Sequence, residues 1–275
     1  MITNLVIGSE GLIGKPFCRF LEERGENVVR FDIKRAEKED GRHYKFDFTN
    51  IDKIYFLAWD VGGSKYLYKS DLQMGQLKWN LALMTNIFEQ IEKSKVPFLF
   101  ASSQLVEEYD TVYGVTKKLG EVWSNLLGGV SIRIWNAYGY MEKLDEKSHV
   151  ISDFIYQALK KGKIEMMTTG EEWRQFTHIH DLSRAFHMAL NTKSLRRSAY
   201  DASSYEWLRI IDIAKIIGDM TGATIRPGSI KGHDPAPAQN IGRLPQWLPQ
   251  VELKDGIANM IVQARKNLTN VKTKS

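Results

Sequence analysis

Cysteine is almost missing from this sequence. Cys18 stands alone, so no internal disulfide can form and nothing in the fold can depend on one. A single thiol in a helix-like stretch fits a reducing compartment, and a cytoplasmic protein is expected. Long apolar runs are also lacking, so no membrane-spanning helix and no membrane partner are expected. The opening MITNLVIGSEG turns polar and glycine-rich too soon to read as a secretory signal. Neither sign of charge dominates. Lys+Arg 38 against Asp+Glu 33 leaves +5, spread along the chain with small clusters at Lys34-Arg35, Lys160 to Lys163 and the tail KNLTNVKTKS. With no basic helix and no motif for reading bases, nucleic acid is not an expected partner, whereas small phosphate-bearing ligands suit the mild basic balance. Repeats and low-complexity segments are absent. What remains is ordinary globular composition, 43% hydrophobic and 26% charged over 275 residues, enough for a large core in one or two domains.

The apolar runs that do occur are short and regularly spaced. ITNLVI, ENVVRFD, KIYFLA, PFLFAS and VSIRIWN read as buried strands, separated by helical or loop sequence such as LIGKPFCRFLEERG. This alternation predicts an α/β fold, a Rossmann-type doubly wound parallel sheet with helices on both faces. Beyond Tyr140 the pattern loosens. SHVISDFIYQALKKG, DLSRAFHMAL and WLRIIDIAKIIGDMTG read as helices, SAYDAS as a strand, and Pro227 to Pro249 as a long loop that caps a ligand. The expected division is a dinucleotide-binding domain over 1–165, with 174–202 returning to it, and a smaller C-terminal substrate-capping domain from 203–275 plus parts of 137–173.

Between the first strand and helix stands Gly8-Ser9-Glu10-Gly11-Leu12-Ile13-Gly14. A strand that turns sharply into a helix, without bulky side chains, lets a pyrophosphate reach the helix N-terminus. Gly8, Glu10, Gly11, Leu12, Ile13 and Gly14 are therefore candidate cofactor-binding residues. Asp32, closing the second strand, can accept hydrogen bonds from both ribose hydroxyls of NAD and would repel a 2′-phosphate. Lys34 and Arg35 leave NADP open.

Tyr113 and Lys117 are four apart in VYGVTKKLGEVW, so on a helix they share a face. An ammonium beside a phenol lowers the phenol pKa and suits it to exchange protons, with Ser103 orienting a substrate hydroxyl or carbonyl. Ser102 and Thr116 read as structural hydroxyls. His178 and His180 lack a third ligand at suitable spacing, so no metal is expected, and Asp181 is read as the cap of the following helix. The tryptophans and Met166-Met167 read as core.

In that order, the glycine turn, Ser103 and Tyr113-x-x-x-Lys117 resemble the extended short-chain dehydrogenase/reductase family, the nucleotide-sugar epimerases and dehydratases. The resemblance covers nearly the whole chain and implies further roles. FDFTN, with Asp47 and Phe48, resembles the adenine-contacting segment. Leu57, Ala58 and Trp59 resemble the segment running past the cofactor, and Asn80 an asparagine near it. Asn136 in RIWNAYG and Arg174 in WRQFTHIHD resemble residues that meet the substrate diphosphate, and WLPQVELKDGI the closing helix. DVGG at Asp60 to Gly63 and SHVI at Ser148 to Ile151 resemble the branch holding GDP-fucose synthase and GDP-mannose 3,5-epimerase, which makes His149 a catalytic candidate. Helices VYGVTKKLGEVW and LKWNLALMTNIFEQI resemble those that pack across a homodimer.

Three departures matter. The branch's catalytic cysteine is Leu105 here, so the acid and base for 3,5-epimerisation are incomplete. The Asp-Glu pair of the 4,6-dehydratases is replaced by Gln104-Leu105. Ser103 and Tyr113 are only ten positions apart, shorter than the family's usual loop. The expected function is an NAD-dependent epimerase or oxidoreductase acting at C4 of a nucleotide-diphosphate sugar, with Tyr113 as acid/base. The alternatives are an NADPH-dependent 4-keto sugar reductase and, in another class, a non-catalytic dinucleotide-binding protein.

Overall fold

A computed structural model describes residues 1–61, 70–141, 148–234 and 242–272. Strand β1 (Thr3–Ile7) leads through the glycine turn into helix α1 (Gly14–Glu22) and β2 (Asn27–Phe31). Then come β3 (Lys53–Phe56), α2 (Ser70–Ser94), β4 (Phe98–Ser103), a 3-10 turn over Gln104–Glu107, α3 (Val112–Leu127) and β5 (Val130–Ile134). The rest comprises β6 (Ala137–Tyr138), α4 (Val150–Lys161), β7 (Lys163–Glu165), β8 (Trp173–Arg174), β9 (Thr177–His178), α5 (Ile179–Asn191) and β10 (Ser198–Ala202). Finally, β11 (Leu208–Arg209), α6 (Ile210–Thr221), β12 (Thr224–Arg226) and α7 (Leu253–Lys272) follow. Among the described residues no helix is long and apolar enough to cross a membrane.

The five apolar runs form β1 to β5, and SAYDAS supplies β10. All six join one parallel sheet in the order β2-β1-β3-β4-β5-β10. Burial on both faces explains the near-continuous apolar runs; every residue of β4 is buried. Phe17, Leu21 and Phe186 of α1 and α5 cover one face with Val6 and Tyr55, while Met84, Ile87 and Phe88 of α2 cover the other with Ile7 and Phe56. The chain runs outward from β1 to β2 and returns to β3 on the other side of β1. At such a reversal the loops leaving the carboxyl ends of the strands part and open a crevice. Gly8, Leu57 and the residues after Ser103 all emerge at that edge.

A second core joins Ile151, Phe154 and Ile155 of α4 to Ile213 and Ile217 of α6 and Ile257 and Ile261 of α7. Residues 150–161, within the 137–173 stretch expected to contribute to the cap, pack in this second core, while Leu244 and Trp247, also expected in the cap, pack in the first. Buried Asp201, at the end of β10, is the reason. Its carboxylate takes the Trp135 indole N–H at 2.9 Å and the Gly242 N–H at 2.8 Å, drawing the 242–247 segment onto the sheet edge. Residues 235–241 of the expected capping loop, like Gly62 and Gly63 of DVGG, lie outside the described residues.

Candidate active site

The glycine turn serves two different ends. Gly8 has φ +95°, and a Cβ there would stand 2.5 Å from the Ala58 nitrogen; at Gly14 it would stand 2.0 Å from the Gly8 oxygen. These two are glycine because β1, β3 and α1 meet there. Gly11 differs. A Cβ would meet only the Gly8 oxygen, at 3.5 Å, so its smallness serves the crevice beside it. Helix α1 starts at Gly14 with no side chain capping it, so its dipole points into the crevice past Leu12 and Ile13. The Lys15 N–H is taken by the Gly11 carbonyl at 3.2 Å, residue 16 is proline and the Phe17 N–H is taken by the Ile13 carbonyl at 3.1 Å, which leaves the Gly14 N–H for a ligand. Asp32 locks the turn by accepting the Glu10 N–H at 2.9 Å, and its other oxygen accepts Lys34 N–H at 2.9 Å. Each oxygen keeps a lone pair for a hydroxyl. Glu39 adds a second carboxylate at this corner, accepting the Asp32 N–H at 2.9 Å and pairing with Arg35 at 3.3 Å. Arg35 is thereby neutralised, which the sequence did not reveal.

Ser103, Tyr113 and Lys117 converge on the same crevice. The short connection between them closes because Thr111 caps α3, accepting the Gly114 N–H at 3.0 Å, and because Gly114 has no side chain. A Cβ there would stand 2.4 Å from both the Leu105 and Glu108 carbonyl oxygens. Ser103 faces the Tyr113 side chain across the crevice and takes the Leu105 N–H at 3.2 Å. Lys117 lies inward rather than against the phenol. Its ammonium donates to the Ala101 carbonyl at 2.5 Å, 4.1 Å from the Trp59 ring centroid and 5.9 Å from that of Tyr113. This corrects the electrostatic expectation. Burial pushes the Tyr113 pKa up to about 12, with nearby Ser103 acting to lower it. Burial likewise takes Lys117 well below the usual lysine range, against the pull of Glu121.

One cavity of about 650 Å³ runs from Gly11 and Asp32 past Leu57, Ala58 and Trp59 to Ser103, Tyr113 and Lys117, and ends at Asn136, His149 and Arg174. Asn136 takes a strained φ of +28° and donates its Nδ2 to the Gln175 carbonyl at 2.8 Å. Arg174 donates to the carbonyls of Trp173 and His233, each at 2.7 Å. His149 occupies the N-cap position of α4, so the second core delivers it to a crevice of the first.

A family model for the NAD dependent epimerase/dehydratase family matches residues 4–201. The chain belongs to that family. A candidate UDP-glucose 4-epimerase of Methanocaldococcus jannaschii is 24% identical over 311 residues, covering 96% of this chain and 98% of its own length. The dTDP-4-dehydro-6-deoxyglucose reductase of Escherichia coli is 24% identical over 317 residues, 95% of this chain and 97% of its own. Among solved structures, UDP-glucuronic acid 4-epimerase from Bacillus cereus, in complex with UDP-glucuronic acid and NAD, matches with a TM-score of 0.80 at 23% identity. It covers 95% of this chain and 99% of that one. At such identity the likeness speaks for the fold.

Membership in the NAD dependent epimerase/dehydratase family makes the chain an NAD-dependent enzyme, and the residues present fit that cofactor. Gly11 leaves space, the uncapped start of α1 turns its dipole toward that space, and the buried Trp59 indole nitrogen, in the cavity wall, has no partner among the described residues. Four expected residues stand elsewhere. The Glu10 side chain pairs with Lys15 at 3.3 Å, so only its backbone serves the turn. Asp47 is exposed and accepts the Thr49 hydroxyl at 2.6 Å, and Phe48 stacks on Phe46 beside the Met84 core; neither lines the cavity. Glu39, Asp40, Gly41 and Trp79 form that wall instead, a patch with no motif of its own. Asn80 is fully buried behind the wall, bracketing Asp60 by accepting its N–H at 2.8 Å and donating to its carbonyl at 3.2 Å. Trp59 and Trp79 therefore face the cavity rather than acting only as core, and Met167 is exposed. Ser102 donates to Glu121 and Thr116 to the Val112 carbonyl, both internal bonds. The N-cap of α5 is His178, which accepts the His180 N–H at 3.2 Å, and not Asp181. Fully buried Asp181 instead accepts the Gln250 and Val251 N–H groups, tying that segment to α5.

Proposed function

We propose that this enzyme epimerises a nucleotide-diphosphate sugar at C4, with a tightly held NAD. The observation that carries this reading is the single cavity joining the Asp32 corner to the Ser103–Tyr113 pair and onward to Asn136, His149 and Arg174. Gly11, Leu12, Ile13, Asp32, the Leu57 to Trp59 segment and Lys117 would hold NAD, which supplies a hydride acceptor when bound. Asn136 and Arg174 would take the substrate diphosphate, Arg174 by charge-assisted donation. Tyr113 would act as the acid/base that exchanges a proton with the sugar hydroxyl, with Ser103 beside it to share that proton. His149 stands at the sugar end of the cavity as a second polar group. A keto-sugar reductase is the second reading, favoured by a Tyr113 held in its protonated, proton-donating form.

Mass spectrometry of small molecules released on denaturation separates the two. NAD in near-equal ratio to protein supports epimerisation; protein that arrives empty and consumes added NADH or NADPH supports reduction. Tyr113→Phe should cut turnover by about 10²- to 10⁴-fold while sparing NAD content, and unchanged turnover would sink the Tyr113 mechanism.

The same protein is proposed to be a homodimer. Val115, Leu119, Val122 and Leu126 form an exposed apolar stripe at helical spacing along α3. Sedimentation velocity should give a dimer that Leu119→Glu and Val122→Glu together convert to a monomer; a monomeric wild type would refute it.

A further inference from the structure

Glu121 of α3 and Arg133 of β5 form a buried ion pair that the chemistry above does not use. Their side chains are 7% and 9% exposed. Arg133 grips the carboxylate with two prongs, Nε to Oε1 at 2.7 Å and Nη2 to Oε2 at 2.8 Å, and Ser102 Oγ donates to Oε1 at 2.7 Å. Removing two charges from water costs about what their attraction returns, so a buried pair of this kind adds little stability over apolar side chains of the same volume. Its place in the fold calls for another account.

The residues that close β4 each meet a different residue of α3. Ala101 offers its carbonyl to the Lys117 ammonium at 2.5 Å, Ser102 donates to Glu121, and Ser103 faces Tyr113 across the crevice. Tyr113, Lys117 and Glu121 stand four apart and form one buried stripe. Arg133, the register partner of Ser102 on β5, secures the last member of that stripe from the neighbouring strand. Sliding α3 along β4 would have to break the bonds of Glu121 as well as that of Lys117. The carboxylate also acts through space. Lys117 is buried between the Trp59 and Phe100 rings, and its acceptor, a carbonyl, carries no charge. Around it stand Tyr113 and Glu121 on its own helix, Arg133 on β5, and Asp60 and Glu108 along the cavity. Glu121 is the charge among them that supports the ammonium against its burial.

We infer that Glu121 is a positioning residue of the active site, which clamps the end of β4 onto α3 and supplies the counter-charge of the buried Lys117 ammonium. It does not line the cavity, so it acts through Lys117 and Ser102. The inference rests on the reading above in which Lys117 holds NAD, because a charged amine donates stronger hydrogen bonds than a neutral one.

The test compares wild type, Glu121→Gln and the double variant Glu121→Leu/Arg133→Met as full-length, cofactor-stripped proteins carrying isotope-labelled lysine. NMR reads the titration midpoint of the Lys117 amine, whose signal is identified by its loss in Lys117→Met. Glu121→Gln leaves the Arg133 charge buried without a counter-charge and should lower the melting temperature, so the double variant, which removes both charges, decides. It should melt level with wild type or higher, yet its Lys117 midpoint should lie at least about one pH unit lower, a tenfold loss of proton affinity. Its NAD affinity, followed through the neutral and alkaline range, should fall away at a correspondingly lower pH. An unchanged midpoint, NAD binding with the wild-type pH dependence, or a double variant that cannot fold would each overturn the inference, the last by making the pair a structural brace. Lys117→Met separates this failure from that of the reading it rests on. If Lys117→Met binds NAD as tightly as wild type, the cofactor role of Lys117 falls and this inference with it; if it binds NAD weakly while the double variant titrates like wild type, the role of Glu121 alone falls.

Discussion

Replacing Gly11 with alanine should separate folding from cofactor binding, and Gly14→Ala should not. A Cβ at Gly11 meets its nearest atom at an ordinary 3.5 Å, whereas at Gly14 it would overlap the Gly8 carbonyl oxygen at 2.0 Å. Gly11 is not in the left-handed region, so alanine fits its backbone. Removing glycine's freedom from the unfolded chain then stabilises by about 0.4–1 kcal/mol. At roughly 2–4 °C per kcal/mol for a chain near this size, the melting temperature of Gly11→Ala should stay level or rise by about 1–4 °C. Gly14→Ala must displace backbone, a cost of about 3 kcal/mol, and should fall by about 6–12 °C. Only the crevice notices Gly11. Its methyl group would occupy the approach to the uncapped start of α1, and NAD recovered per protein should drop at least about tenfold. Differential scanning fluorimetry of cofactor-stripped protein, with mass-spectrometric NAD content, reads both numbers. A Gly11→Ala protein that retains full NAD would refute the reasoning, since the pyrophosphate would then lie away from this turn.

Lys117→Met should stabilise the cofactor-free protein by about 1 kcal/mol or more while reducing turnover, because a buried ammonium is exchanged for an apolar chain among Trp59 and Phe100. The folded pKa of Lys117 is depressed, so its contribution is complete above the unfolded value near 10.5 and is lost as pH falls through the folded value. The advantage of the methionine variant in urea denaturation should therefore be large near pH 7 and shrink toward pH 10.5. A gap that widened with pH would contradict the burial argument. Tyr113 works in the opposite direction. Its folded pKa is raised from 10 to about 12, so the stability it contributes is whole below pH 10 and disappears between pH 10 and 12, a loss that Tyr113→Phe should not show.

The strands and the glycine turn were legible because their signals are local. ITNLVI, KIYFLA and PFLFAS carry burial on both faces in their own composition, and a strand, three spaced glycines and a helix in succession leave few alternatives. Tyr113 and Lys117 were found for the same reason, a four-residue spacing on one helix. Their electrostatics were not, since the Ala101 carbonyl and the Trp59 ring that draw Lys117 inward come from β4 and the loop after β3. Sequence order likewise could not show that α4 carries His149 across to the cavity, or that Asn80 stands behind the wall while Trp79, one residue earlier, is part of it. Periodicity determines which face of an element is buried; which residues share a cavity is decided by how distant elements dock, and that is settled only when the layers close.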